Sequence, residues 1–102
     1  MQINIKATKI ELSPELKTYA EEKMTMLEKY LGEVQATNCD IELENVNPSQ
    51  HKGKIFRCEV NLSVPGELLR VEKTAEDMNK AIDKVKDHME RSIKRYKEKK
   101  NS

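Results

Sequence analysis

Apolar residues recur along this chain with two periods, and the changes of period divide it into elements. Residues 2–7 alternate, with Ile3, Ile5 and Ala7 on one face, as in a short strand. After Ser13 the period lengthens. Leu16, Ala20, Leu27 and Leu31 form a stripe at helical spacing, flanked by Tyr19, Met24 and Tyr30. Ser13 can cap free backbone amides, Pro14 suits the first helical position, and Glu15 complements the positive helix end. Gly32 supplies a stop, so the spacing predicts one helix from Pro14 to Leu31.

Alternation then returns. Cys39, Ile41 and Leu43 interleave with Asp40, Glu42 and Glu44, the pattern of a half-buried strand. A polar loop from Asn47 to Gly53 leads to a longer alternation through Phe56, Cys58, Val60, Leu62 and Val64. Pro65-Gly66 signals a turn, and Leu69 and Val71 predict a last, shorter strand. From Ala75 to about Lys100 neither Gly nor Pro intervenes. Met78, Ile82, Val85, Met89, Ile93 and Tyr96, with Ala81 beside them, repeat at spacings of three and four. The predicted order is β-α-β-β-β-α. A four-stranded sheet with both helices on one face buries every stripe at once, which places the chain in the α+β class. With 102 residues and no internal repeat or linker, it reads as one domain spanning 1–102, with residues 97–102 as a frayed basic tail.

Charge changes this picture more than composition does. Lys80–Ser102 holds nine Lys/Arg against four Asp/Glu, whereas the first 79 residues hold ten against fourteen. A net charge of +1 therefore conceals a polarised molecule with a cationic C-terminal helix. At 100° per residue, Lys80, Lys84, His88, Arg91 and Arg95 fall along one side of the apolar stripe. Lys86 and Lys97 lie on the opposite flank, and Lys94 lies near the outer face. Such a row can follow a phosphate backbone, although complementing the helix dipole and pairing with Asp83, Asp87, Glu90 and Glu98 would also account for it. Lys23 falls inside the apolar stripe of the first helix, where it either snorkels to solvent or opens into a cleft between the helices. The second arrangement would form one cationic groove with two walls.

Other chemistries find little support. The chain has no HExxH, Walker A, GxSxG or GxGxxG motif, and neither histidine has an evident nucleophile partner. Asp83 and Asp87 lie one turn apart on a charged surface and read as solvated or paired carboxylates, so no enzyme activity is expected. His51 and His88 do not complete a zinc set with Cys39 and Cys58, which read as buried thiols. No cofactor or metal is expected. The opening residues lack a signal-peptide pattern and no apolar run could span a bilayer, so the expectation is a cytoplasmic protein without a membrane partner.

The string Ala75-Glu-Asp-Met78, followed by Ala81-Ile-Asp83, Asp87, Met89-Glu-Arg91 and Ile93-Lys-Arg95-Tyr-Lys97, resembles the ribosome hibernation-promoting factor family. That family also includes ribosome-associated inhibitors and sigma-54 modulation proteins. Met1-Gln-Ile-Asn-Ile5 and Leu12-Ser-Pro-Glu-Leu16, with Tyr19, Lys23, Leu27 and Glu28 behind, are similar to the same family in order and spacing. The resemblance implies a domain similar to double-stranded-RNA-binding folds. It also implies binding to the small ribosomal subunit and its ribosomal RNA, alone or in the 70S ribosome, with the mRNA and tRNA channel blocked. The family's RNA-facing positions match at Lys23, Arg91, Lys94, Arg95 and Lys97; Lys80, Lys84 and His88 complete the expected contact set. Three departures stand out. Asn79 replaces a frequent aromatic residue, His88 replaces a frequent lysine and is only fractionally charged at neutral pH, and Lys80 and Lys84 replace small or apolar residues. Long members carry a further dimerising domain, so this chain alone is expected to be monomeric. Competing readings are a protein-interaction module, such as a sigma-factor partner using Asp40, Glu42 and Glu44, and a general double-stranded-RNA binder.

Overall fold

The computed structural model describes residues 1–101. Strand β1 spans Gln2–Thr8, helix α1 Pro14–Thr25, a single helical turn α2 Glu28–Leu31, and strand β2 Asn38–Asn45. Strands β3 (Phe56–Val64) and β4 (Glu67–Ala75) form a hairpin, and helix α3 covers Met78–Lys100. The sheet order is β1-β2-β3-β4. Strand β1 runs parallel to β2, as a helical crossover allows, with Ile5 beside Ile41. The other pairs are antiparallel and place Val60 between Ile41 and Val71.

The expected α+β fold is present, with four differences in detail. Helix α1 begins as its cap predicts, with the Ser13 hydroxyl accepting from the Leu16 amide at 3.2 Å. It stops at Thr25 rather than Leu31, and the chain re-enters a helical turn at Glu28. Met24, Leu27 and Leu31 are all buried on either side of the break. Strand β4 is as long as β3 and includes Ala75, because ladder pairing with β3 continues from Glu67 to Ala75. Helix α3 therefore starts later, at Met78, where the Asp77 carboxylate accepts from the Asn79 amide at 2.7 Å. Where a frayed tail from residue 97 is expected, the helix continues through Lys100, with Lys97 donating to the Tyr30 carbonyl at 3.0 Å. The tail's last residue, Ser102, lies outside the described residues.

The core lies between the sheet and the helices. Cys39, Ile41, Leu43, Cys58, Val60 and Leu62 meet Ala20, Met24 and Leu27 together with Ala81, Ile82, Val85, Met89 and Ile93. Both cysteines are free and buried, and burial pushes each thiol up to about 12, which keeps them protonated and unreactive. Seven buried side chains of α3 fix its rotation, and that rotation decides which way each of its cations points.

The opposite face of the sheet carries an ion-pair network around Arg57, whose side chain is 14% exposed. One guanidinium nitrogen contacts Glu42 at 3.1 Å and Glu44 at 2.9 Å; the other two reach Glu59 at 3.1 Å and Glu72 at 3.0 Å. Arg70 adds a 2.8 Å contact to Glu59, a buried carboxylate.

Gly32 ends α2 at φ 60° and ψ −118°, a backbone conformation that side chains disfavour. A Cβ placed there would lie 3.4 Å from the Lys97 ammonium, which holds α3 against the end of α2. Gly32→Ala is therefore expected to lower stability by about 1–3 kcal/mol, read as a lower urea midpoint with an unchanged slope.

Candidate nucleic-acid interface

Helix α3 lies against β3 and β4, with α1 and α2 along its other side. Because β4 is an edge strand, the α3 flank above it opens to solvent. Lys84 lies on that flank and donates to the Thr74 carbonyl at 3.4 Å. His88 follows one turn later beside Lys73 of β4, Arg91 and Arg95. Lys80 and Arg91 sit nearer the crest, and Lys80, Lys84, Arg91 and Arg95 are all exposed. The ion pairs of α3 among the described residues lie elsewhere, at Asp83, Lys86 with Asp87 and Glu90, and Lys99. Among the described residues the β4-side row is thus a set of cations without ion-pair partners.

The α1-facing side differs in kind, because its cations are already engaged. The Lys23 ammonium lies 3.4 Å from Asp83 and 5.5 Å from the Tyr19 ring centre. Tyr19 donates its hydroxyl to the same Asp83 oxygen at 2.6 Å, and that bond, followed by burial, pushes the phenol up to about 12. Lys86 is paired with Glu90. Burial opposes the Glu90 carboxylate, yet the Lys86 hydrogen bond and charge hold it below the ordinary carboxylate value. Lys94 and Lys29 lie 5.8 and 5.2 Å from the Tyr30 ring, distances at which cation–π attraction operates. Lys97 is held by the Tyr30 carbonyl.

The eight expected contact residues therefore do not form one groove. Lys84, His88 and Arg95 descend toward β4, Lys80, Arg91 and Lys94 lie along the outer crest, and Lys23 and Lys97 sit on the α1/α2 side. Lys23 neither snorkels free nor builds a second wall for the basic flank, because Asp83 and Tyr19 hold it across the crest from Lys84 and His88. Lys73 was not anticipated. The signal was present in the alternation Leu69, Val71, Lys73, which places it on the helix side of β4 once that strand is extended to Ala75.

A small sheet covered on one face by two principal helices, with exposed cations along the longer one, defines a class of α+β modules. The family model described as sigma 54 modulation protein / S30EA ribosomal protein matches residues 3–101, and the chain belongs to that family. It is 35% identical over 101 residues to the ribosome hibernation promotion factor of Bacillus subtilis and 30% identical over 98 residues to that of Deinococcus radiodurans. These alignments cover 99% and 95% of this chain but only 51% and 50% of the relatives, so the chain spans about half their length. The ribosome hibernation promoting factor of Pseudomonas putida is 31% identical over 102 residues, which cover all of this chain and 92% of that protein. The solved N-terminal domain of Thermus thermophilus Protein Y superposes with a TM-score of 0.78 at 26% identity, covering 94% of this chain and 99% of that one. A ribosomal subunit interface protein from Coxiella burnetii shares the fold, with a TM-score of 0.73 at 21% identity over 95% and 98% of the two chains. Among the described residues no helix is long and apolar enough to cross a membrane.

Proposed function

We propose that this domain is a ribosome-binding translation inhibitor. It docks on small-subunit ribosomal RNA through the crest and β4-side flank of α3, and its folded body obstructs the mRNA and tRNA channel. The observation that carries the reading is the row Lys73, Lys80, Lys84, Arg91 and Arg95. Among the described residues these cations form no ion pair, while of those facing α1 and α2, Lys23 and Lys86 are ion-paired and Lys97 is held by a backbone carbonyl. Unpaired cations release counterions on meeting phosphates without first breaking an ion pair. Membership of the family and the hibernation-factor names of its relatives point to the ribosome as the source of those phosphates. The mechanism is steric and electrostatic and requires neither a catalytic group nor a cofactor. The domain acts as a monomer, in the cytoplasm.

Recognition by shape and phosphate rather than by base sequence fits a surface of lysines and arginines with few exposed aromatics. The protein-partner reading draws less support, because Glu42 and Glu44, which would attract a basic partner, are already bound by Arg57.

Sedimentation with purified small subunits and 70S ribosomes at rising salt tests the proposal, with free duplex RNA as competitor. Retention that weakens with salt and resists duplex competition is expected. Equal competition by duplex would indicate a general double-stranded-RNA binder, and absence from the ribosomal pellet at low salt would exclude ribosome docking. Added to a translation reaction programmed with mRNA, the bound domain is expected to reduce output.

A further inference from the structure

His88 occupies the middle of the β4-side row, and its surroundings are unlike those of an ordinary surface histidine. Its ring is half-buried and its Nδ1 is enclosed without a hydrogen-bond partner. Lys73 faces it from β4, while Lys84, Arg91 and Arg95 lie one or two turns away along α3. Its neighbour in sequence, Asp87, is turned outward and lies 3.9 Å from Lys86, on the other side of the crest. No carboxylate forms an ion pair with the ring among the described residues.

Charging this ring in the free protein would place a further cation among Lys73, Arg91 and Arg95. It would also leave an enclosed N–H without an acceptor. Burial first, and then the charges of Lys73, Arg91 and Arg95, hold His88 below the ordinary histidine value. The ring is therefore neutral at physiological pH, and the row has an uncharged gap at its centre. A phosphate backbone laid across Lys73, Arg91 and Arg95 would shift that balance, because its negative charges offset the repulsion.

We propose that His88 couples polyanion docking on this face to the uptake of one proton from solvent, so that the domain binds more tightly as pH falls. The coupling rests on the docking face assigned above and gives that face a regulation of its own. Nothing is transferred covalently: a solvent proton adds to the neutral ring and remains while the phosphates are bound. By linkage, each unit by which docking raises the His88 midpoint corresponds to at most about a tenfold gain in affinity between high and low pH.

Nuclear magnetic resonance titration of the imidazole signals, with and without a saturating short RNA duplex, tests the coupling directly. In the free protein His88 is expected to titrate below the ordinary histidine value, and the duplex should raise its midpoint by about one unit or more. Affinity for small subunits should rise several-fold between about pH 8 and about pH 6. His88→Gln should flatten that dependence at the weaker limit, and His88→Lys should flatten it at the tighter one. A duplex that perturbs the Arg91 and Arg95 side-chain signals but leaves the His88 midpoint unmoved would overturn the coupling alone. A duplex and small subunits that both fail to perturb those arginines would overturn the docking face and the coupling with it.

Discussion

Replacing Arg91 and Arg95 together by glutamate is expected to release the domain from small ribosomal subunits while leaving its fold intact. Both side chains are exposed, and neither forms an ion pair among the described residues, so the change in stability should stay within about 0.5 kcal/mol. Binding should respond far more strongly. Each lost phosphate contact removes roughly 0.7–0.9 from the slope of log affinity against log salt. Losing two contacts should lower that slope by roughly 1.5. Adding two carboxylates that repel phosphate should bring the affinity loss to at least about a hundredfold, several kcal/mol of binding energy. Lys23→Glu is the informative control. Its ammonium is already shared with Asp83 and the Tyr19 ring, so its reversal should weaken binding much less. The opposite ranking, with Lys23→Glu the more damaging, would move the docking face to the α1 side of the crest.

The largest effect on stability is expected at Arg57. Truncation to alanine leaves Glu42, Glu44, Glu59 and Glu72 clustered without their shared cation, and Glu59 is buried. Removing one member of a buried ionic cluster costs about 3–5 kcal/mol. The lower end applies here, because Glu72 is 44% exposed and Glu42 30%, so water can take up part of their charge. The pH dependence follows from Glu42, which hydrogen bonding to Arg57 holds below the ordinary carboxylate value of 4.5. A carboxyl with a lowered folded-state value stabilises the fold above its unfolded value, and that contribution is lost as pH falls through the folded one. The difference between wild type and Arg57→Ala should therefore be largest near neutrality and shrink below about pH 4.5. Urea unfolding at neutral and acidic pH measures both. An undiminished gap in acid would mean that Arg57 acts through packing of its stem rather than through charge.

Legibility differed between the fold and the interface. Strand and helix periods depend on which residues are apolar, and a chain of this size has few ways to bury four half-apolar strands and two one-sided helices. Met78, Ile82, Val85, Met89, Ile93 and Tyr96 could be read as the inner face of α3 for that reason, and all are buried. Less legible was the end of α1, where Met24, Leu27 and Leu31 fit one helical stripe although the chain breaks after Thr25 and restarts at Glu28. The length of β4 was hidden for a different reason. Its second half, Glu72-Lys-Thr-Ala75, is mostly polar, and its ladder with Phe56–Glu59 rather than its side chains makes it strand.

The cations illustrate the same division. Periodicity assigned Lys80, Lys84, His88, Arg91 and Arg95 to one side of α3; in the fold Lys84, His88 and Arg95 descend toward β4, while Lys80 and Arg91 lie along the crest. Whether a cation is free depends on partners distant in sequence. Lys23 meets Asp83, Lys97 meets Tyr30, and Arg57 gathers carboxylates from three strands. Lys73 joins the row only because β4 passes beneath α3. Local periodicity thus determined the elements, their inward faces and the charge polarity of this protein, because burying apolar surface is a requirement each segment meets through its own pattern. Tertiary structure alone decided which charges are neutralised and which remain exposed for phosphate, because an ion pair forms over a few ångströms of space whatever the separation along the chain.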